Sequence, residues 1–349
     1  MSAALKLITS SLLRTARACR RRYQLQYVLG YRAAESAHEL RFGTAAHLAL
    51  EAWWLAMQAG LPHDAWLDAA MKKLDAAAME PADLAKLRVM MMGYHLRWKD
   101  EEFEVIGVEL KFEGPLVNPA TGRQSQTWRI AGKLDVLVRR KSDGLVLVIE
   151  HKTSSEDLSP GSKYWRRLRM DGQVSVYFEG AAILGHRIDA CLYDVLGKPL
   201  QRMGDVPELD EHGNKIVLNA AGERVRTAQG KWRQTADTAQ GFVLKTRPET
   251  VEEFQRRVAE AVASAPEKYF GRADVHRLEG DMAGALQDVW QLAQSLREEE
   301  SAGRFPRNPD ACSNYGRECP FFGVCAGEAS LDDPSLYSRS DEVHPELAA

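Results

Sequence analysis

Residues 128–152, WRIAGKLDVLVRRKSDGLVLVIEHK, decide the fold. Two apolar runs, 128–138 and 145–152, flank the polar segment RRKSDG. Val, Ile and Leu in runs of this length favour extended chain. Asp143-Gly144 is the kind of dipeptide that reverses a strand tightly. The stretch therefore predicts two antiparallel strands. Side chains alternate faces along a strand, so Glu150 and Lys152 point one way and His151 the other. An antiparallel neighbour brings Asp135 beside Glu150. Two carboxylates and an ammonium gathered at strand ends are costly unless a cation lies between the acids. Mg2+ takes one or two carboxylates, waters and phosphate oxygens. Such an ion lowers the pKa of a bound water and offsets charge on a phosphate under attack. Lys152 is placed to orient or activate that water, or to neutralise the developing charge.

On the N-terminal side, residues 9–60 read as helical, with Ala46, Leu50, Trp53 and Met57 three and four apart. Further helices are expected over 64–100, where Asp64 and Pro81 suit helix starts. Residues 103–112, FEVIGVELKF, alternate as a strand does. On the C-terminal side, 172–184 reads as a helix rich in small residues and 190–196 as a strand. Residues 199–247 break the rhythm; KIVLNAAGERVRT resembles a hairpin around Ala221-Gly222 on a surface insertion. Helices resume at about 250–264 and 280–300, and the polar, acidic tail after Cys325 is expected to fray. No internal repeat or low-complexity segment is read. The expected architecture is α/β, a small mixed sheet carrying the site with helices on both sides. It divides into a helical N-terminal region with His47 (1–102), a catalytic core (103–198), an insertion (199–247), C-terminal helices with the cysteines (248–330) and a polar tail (331–349).

Composition narrows the class. The chain has 349 residues, 45% hydrophobic and 27% charged, with a net charge of −3. That excludes binding nucleic acid by bulk charge, but not through local patches. Residues 14–32 hold six arginines, Arg20 and Arg21 among them, and no acid. KYWRRLR carries Lys163, Arg166, Arg167 and Arg169 around Tyr164 and Trp165, aromatics suited to stacking on bases. Either run also fits a solvated face. No apolar run is long enough for a membrane helix. The N-terminal stretch lacks an apolar segment followed by a cleavage site, so a cytoplasmic protein is expected. No G-x-x-x-x-G-K-[ST] phosphate loop occurs in the sequence. The chain is expected to act alone or with a separate helicase or recombination protein. Five cysteines, three of them crowded at 312, 319 and 325, do not fit a secreted disulfide frame. With Cys19 they suit a metal or cluster site, or remain unbonded thiols. Cys191, inside an apolar strand, reads as a small core residue.

Taken in order, these motifs resemble the RecB-type branch of the PD-(D/E)xK nuclease superfamily, related to Cas4 and AddB nuclease domains. The resemblance runs from Cys19 to Cys325. Residues 43–51, GTAAHLALE, are similar to its GxxxHxxxE helix, which implies that His47 is a metal ligand. His47 and Glu51 share a helical face. Asp135, three residues after Gly132, matches the GxxD strand and is implied as a second ligand. Glu150 and Lys152 match the (D/E)xK element, with the backbone carbonyl of His151 completing the metal shell. Gln173 and Tyr177 match the QxxxY helix that supports the site and contacts DNA. The resemblance implies a restriction-endonuclease-like core that uses Mg2+ or Mn2+. It also implies a [4Fe–4S] cluster on Cys19, Cys312, Cys319 and Cys325 that staples the chain ends, with structural Zn2+ as the alternative. Five residues separate Cys319 from Cys325, as is usual; the six between Cys312 and Cys319 depart from the usual two. The implied activity is hydrolysis of DNA phosphodiesters, as an exonuclease on single strands or ends. The alternatives are a structure-specific or Cas4-like end-processing endonuclease, and a silent DNA-binding scaffold.

Overall fold

The computed structural model describes residues 5–34, 38–314 and 317–348. Residues 1–4, residues 35–37 of the expected helical run, 315–316 of the Cys-rich segment and Ala349 lie outside the described residues. The chain opens with β1 (Lys6–Ile8), α1 (Ser10–Ala18), α2 (Arg20–Tyr23), which runs into a π-turn, and β2 (Tyr31–Ala33). Three helices follow: α3 (His38–Gln58), α4 (His63–Asp75) and α5 (Pro81–Trp98). The sheet strands come next, β3 (Phe103–Val117), β4 (Gln124–Arg140) and β5 (Val146–Ser154). Then come α6 (Lys163–Leu168), α7 (Gly172–Ile183) and β6 (Ala190–Gly197). Short strands β7 (Asp205–Pro207), β8 (Val217–Leu218), β9 (Val243–Leu244) and β10 (Thr246–Pro248) lead to α8 (Val251–Ser264). The chain closes with β11 (Phe270–Val275), α9 (Glu279–Ala302), β12 (Ser313–Asn314), β13 (Arg317–Glu318), α10 (Phe322–Ala326) and β14 (Tyr337–Arg339).

One six-stranded mixed sheet runs β1-β4-β5-β6-β11, with β3 also paired to β4. Helices cover both faces, the α/β architecture expected. Odd positions of β5 alternate with even ones between two cores. Leu147 and Ile149 join Val136, Val138 and Leu192 under Trp53, Met91 and Phe254 of α3, α5 and α8. Val148 joins Leu134, Leu137 and Val195 under Leu12, Val174, Tyr177 and Leu296 of α1, α7 and α9. Each face of the sheet thus buries its own apolar stripe, which is why both strands of the opening stretch read as nearly continuous hydrophobic runs.

Strand β4 is the axis of the site. Along one edge it pairs with β3. Along the other it changes partner: Val136–Arg139 pair antiparallel with β5, whereas Trp128–Ile130 pair parallel with β1. Between those pairings β5 and β1 diverge, and Asp135 stands at the fork. Two glycines let the neighbouring layers close on it. A Cβ on Gly132 would lie 2.4 Å from the buried Phe112 ring, and one on Gly180 of α7 also 2.4 Å from that ring. Phe112 therefore lies flat between β4 and α7, a fit that any larger residue at either glycine would block.

Two expectations are corrected. The helical run 9–60 is interrupted by β2, which pairs antiparallel with β14 from the far end of the chain. The tail does not fray: Tyr337 and His344 are buried, and the Thr9 hydroxyl donates to Glu346 at 2.6 Å. The hairpin around Ala221-Gly222 is present: the Asn219 N–H donates to the Glu223 carbonyl at 2.9 Å, the Val225 N–H donates to the Val217 carbonyl at 3.0 Å, and β8 pairs further with β9. The insertion is built on tight turns. Gly213, Gly222, Gly230 and Gly241 each close a tight turn at positive φ, the N–H of each donating three residues back.

Candidate active site

The fork brings side chains from three layers together. From the sheet come Asp135, Glu150 and Lys152; from α3 on one face comes His47; from α7 on the other come Gln173 and Tyr177. Asp135 Oδ2 accepts the backbone N–H of His151 at 3.0 Å and lies 3.6 Å from His47 Nδ1. Glu150 is 1% exposed and its carboxylate is fully engaged. It pairs with Lys152, accepts from Gln173 Nε2 at 3.0 Å, and accepts from the Tyr177 hydroxyl at 2.5 Å. Gln173 and Tyr177 sit one helical turn apart, so α7 delivers both to one carboxylate. The Asp171 side chain caps that helix by accepting from Gln173 N.

The electrostatics follow from crowding like charges in a buried cleft. Burial, then Glu150, pushes the Asp135 carboxyl well above the ordinary carboxylate range, against the pull of Lys152. Burial works against charge on Lys152, but Glu150 and Asp135 outweigh it and hold the ammonium above its usual value. Lys152 is therefore a cation at neutral pH, suited to orienting a water or offsetting charge rather than taking a proton. Burial, then Lys152 and His151, pulls His47 down to about 3, so its imidazole is neutral and free to be a ligand. Burial pushes the Tyr177 phenol well up, so it stays a donor.

His151 faces the α3 side. Its Nδ1 lies 3.5 Å from Asp194 Oδ2, too long for a good hydrogen bond, and neither ring nitrogen has a hydrogen-bond partner in this structure. Asp194 itself accepts from Tyr94 at 2.7 Å and pairs with Arg272 at 2.8 Å.

Two neighbours, Lys133 and Glu109, escaped the sequence reading, and a third, Arg14, belongs to the basic run that it noted. Arg14 of α1 donates to Gln173 Oε1 at 3.1 Å. Lys133, inside the GKLD stretch, pairs with Glu109 beside Glu51. Glu109 is, among the described residues, the one non-glycine at positive φ, 53°. Arg14 lies in the arginine-rich run already noted; nothing local marks Glu109, which falls opposite Asp135 in the β3–β4 register.

The expected DNA contacts scatter. Arg20 pairs with Glu299 at 3.0 Å and Arg21 bonds Gln24, both half-buried where the chain ends meet. Lys163, Arg166, Arg167 and Arg169 are exposed, with Arg167 paired to Glu156 at 2.7 Å. Tyr164 is 4% exposed, so it is a core residue and not a stacking platform. Trp165 is half-buried and donates to the Leu158 carbonyl. Cys191 is fully buried.

The donor set fits a hard divalent cation: two carboxylates, one of them held above its ordinary pKa, and a neutral imidazole. Among the described residues no three His, Cys, Asp or Glu side chains are gathered tightly enough to grip an ion as they stand. His47, Asp135, Glu150 and the His151 carbonyl would hold it, and when bound it would supply an activated water and stabilise charge on a phosphate.

Acid pair, lysine and fork describe a phosphodiester-cleaving site. The family comparison agrees, for the model of the PD-(D/E)XK nuclease superfamily matches residues 8–326, and the chain belongs to that superfamily. It is accordingly a metal-dependent nuclease acting on DNA, in a superfamily that uses Mg2+ or Mn2+. No curated protein matches it. A solved structure described as "Crystal structure of SSO0001" is similar over 75% of this chain and 79% of that one, at 14% identity and a TM-score of 0.25. No helix among the described residues is long and apolar enough to cross a membrane.

Proposed function

We propose that this chain is an exonuclease of the RecB, Cas4 and AddB branch, acting in the cytoplasm on single-stranded DNA or DNA ends. Residues 103–198 form its catalytic core and 199–247 an accessory arm. One observation carries the reading: at the β4 fork, Asp135, Glu150 and Lys152 meet His47 from α3 and Gln173 and Tyr177 from α7. His47, Asp135, Glu150 and the His151 carbonyl bind the metal. Gln173 and Tyr177 hold Glu150 in place, and Lys152 orients the attacking water. Turnover on 5′- and 3′-labelled single and double strands, with Mg2+ and with Mn2+, tests the reading. Asp135→Ala and Glu150→Ala are expected to abolish cutting with the fold intact by circular dichroism. Lys152→Ala should lose roughly 10²–10³-fold in rate. Cutting of closed circles would replace the exonuclease with an endonuclease, and substantial turnover by either acid variant would move the site.

The same reading places a [4Fe–4S] cluster on Cys19, Cys312, Cys319 and Cys325. What supports it is the meeting of chain ends. The N–H of Arg21 donates to the Pro306 carbonyl at 3.1 Å, Asn308 donates to the Ala18 carbonyl at 2.8 Å, and Cys319 N–H donates to the Cys312 carbonyl at 2.7 Å. Burial pushes the Cys319 thiol up, and Cys19 and Cys312 close by push it further. Thiols crowded in this way become thiolates when a cation joins them. Brown protein that bleaches on changing any one of the four to Ser, but not on Cys191→Ser, is the expected result. Colourless protein with one zinc per chain would replace the cluster with zinc, and neither metal would leave the thiols as packing.

A further inference from the structure

Three hollows, of about 360, 580 and 180 Å3, adjoin one another along the N-terminal end of α7. They share Met170, and together they form a trough between α1, the α6–α7 link and the start of α9. The trough starts at the catalytic centre: Gln173, which bonds Glu150, also takes the Arg14 guanidinium. Arg17, one turn further along α1, lies against Gly172, where a Cβ would sit 3.2 Å from its Nη1. Arg169 lines the same hollow. Arg14, Arg17 and Arg169 are exposed, and none is paired with a carboxylate among the described residues. Arg277 closes the far end, held by Ser175 Oγ at 3.1 Å and the Asp171 carbonyl at 2.7 Å. Four acids also line the walls, and of these Asp274 is paired with a cation. Asp171 caps α7 and accepts from Tyr193, Asp281 accepts from Leu278 N at the start of α9, and Asp274 pairs with Arg140; Asp288 faces the trough as well.

Two further features say what lies there. Met170 is 88% exposed in the middle of this cationic run. An apolar, polarizable side chain left in water among arginines fits a ligand that presents both phosphates and flat rings. A duplex presents its phosphates but hides its bases, and would leave Met170 solvated. The α9 wall carries Gly280 and Gly284 on one helical face, with open space where each Cβ would be. At Gly284, inside the helix, glycine costs about 1 kcal/mol relative to alanine, and no packing contact within 4 Å of its Cβ position requires it. Their use is to let a strand lie close against the helix.

We infer that this trough is the track for single-stranded DNA leaving the catalytic fork, with Arg17 and Arg169 on its phosphates and Met170 against a base. The inference rests on the nuclease reading and deepens it. It is tested by fluorescence anisotropy of labelled oligothymidine in the Asp135→Ala background, which binds without cutting. Arg17→Ala with Arg169→Ala should raise Kd at least tenfold and flatten the salt dependence by about 0.7 per arginine, the counterion release of one single-strand phosphate. Met170→Ala should weaken oligothymidine and leave duplex unchanged. Gly284→Ala should melt no earlier than the parent yet bind less tightly, because its methyl enters the track. Unchanged affinity and slope in the double variant, or full affinity in Gly284→Ala, overturns the track. Equal losses on duplex and single strand overturn the single-strand assignment. Wild-type turnover on the same oligonucleotide tests the nuclease reading separately, so either can fail without the other.

Discussion

Asp135 illustrates what the site demands of a single residue. Its carboxyl is buried beside Glu150 and held well above its ordinary pKa, so without a cation the ionised form is disfavoured. A functional acid of this kind destabilises the empty fold. Asp135→Asn keeps an acceptor for the His151 N–H but removes the charge conflict. The expected outcome in EDTA is a melting temperature about 2 °C higher, of the order that 1 kcal/mol produces in a chain of this size. Cutting should be lost in the same variant. Scanning calorimetry beside a nuclease assay checks it, and a lower melting temperature would mean that the carboxylate is structurally favourable after all. Lys152 shows the converse: its charge is supported by both acids, which fits a role as a standing cation.

At the scale of elements, α7 is the part whose placement decides activity. It carries both Glu150 partners, and it approaches the sheet through Gly180 and the Phe112 ring. Gly180→Ala puts a methyl within 2.4 Å of a buried ring that has nowhere to go. Overpacking of this kind costs about 1–3 kcal/mol. The helix must also lift, so we expect kcat to fall several-fold with Gln173 and Tyr177 unchanged in identity. Denaturant melts and single-turnover rates read the two effects apart, and a stable variant with full turnover would show that α7 tolerates displacement. The Gly132 of the GxxD strand has the same physical reason, since a Cβ there meets the same ring.

For the whole molecule, the most consequential buried charges lie behind the site. Asp194 sits across strands from both His151 and Arg272. Burial acts to raise its pKa, but Arg272 and His151 outweigh burial and hold it well below the ordinary range. A carboxylate depressed in the folded state adds stability that is complete above the unfolded value of about 4 and is lost as pH falls from there through the folded value. Asp194→Asn should therefore lower stability at neutral pH by about 1.5–3 kcal/mol, since it takes a charged partner from Arg272 and leaves Glu101 as the carboxylate paired with it. The variant should also melt with a shallower pH dependence below about pH 4 than the parent. Parallel melting curves for both proteins from pH 7 down to 2 test this, and an identical acid slope would remove Asp194 from the account.

Local pattern alone determined the strand pair 128–152, the opposite facing of Glu150 and His151, the helices carrying His47 and Gln173, and the family motifs strung along them. Those features depend on periods of 2 and 3.6 residues and on one turn dipeptide, all written within a few neighbouring positions. Tertiary structure alone decided the rest. That β4 changes partner at Asp135 depends on β1, more than a hundred residues away in sequence. That residues 31–33 extend rather than coil depends on β14, some three hundred residues on. Tyr164 reads as an exposed aromatic in a basic run, yet packing buries it, while Met170 beside it is left in solvent. Arg14, Arg17, Arg169 and Arg277 form one trough because α1, α6, α7 and α9 converge there. Choice of distant partner carries no local signature, since any apolar face is satisfied by any other of matching shape; only the packed chain selects among them.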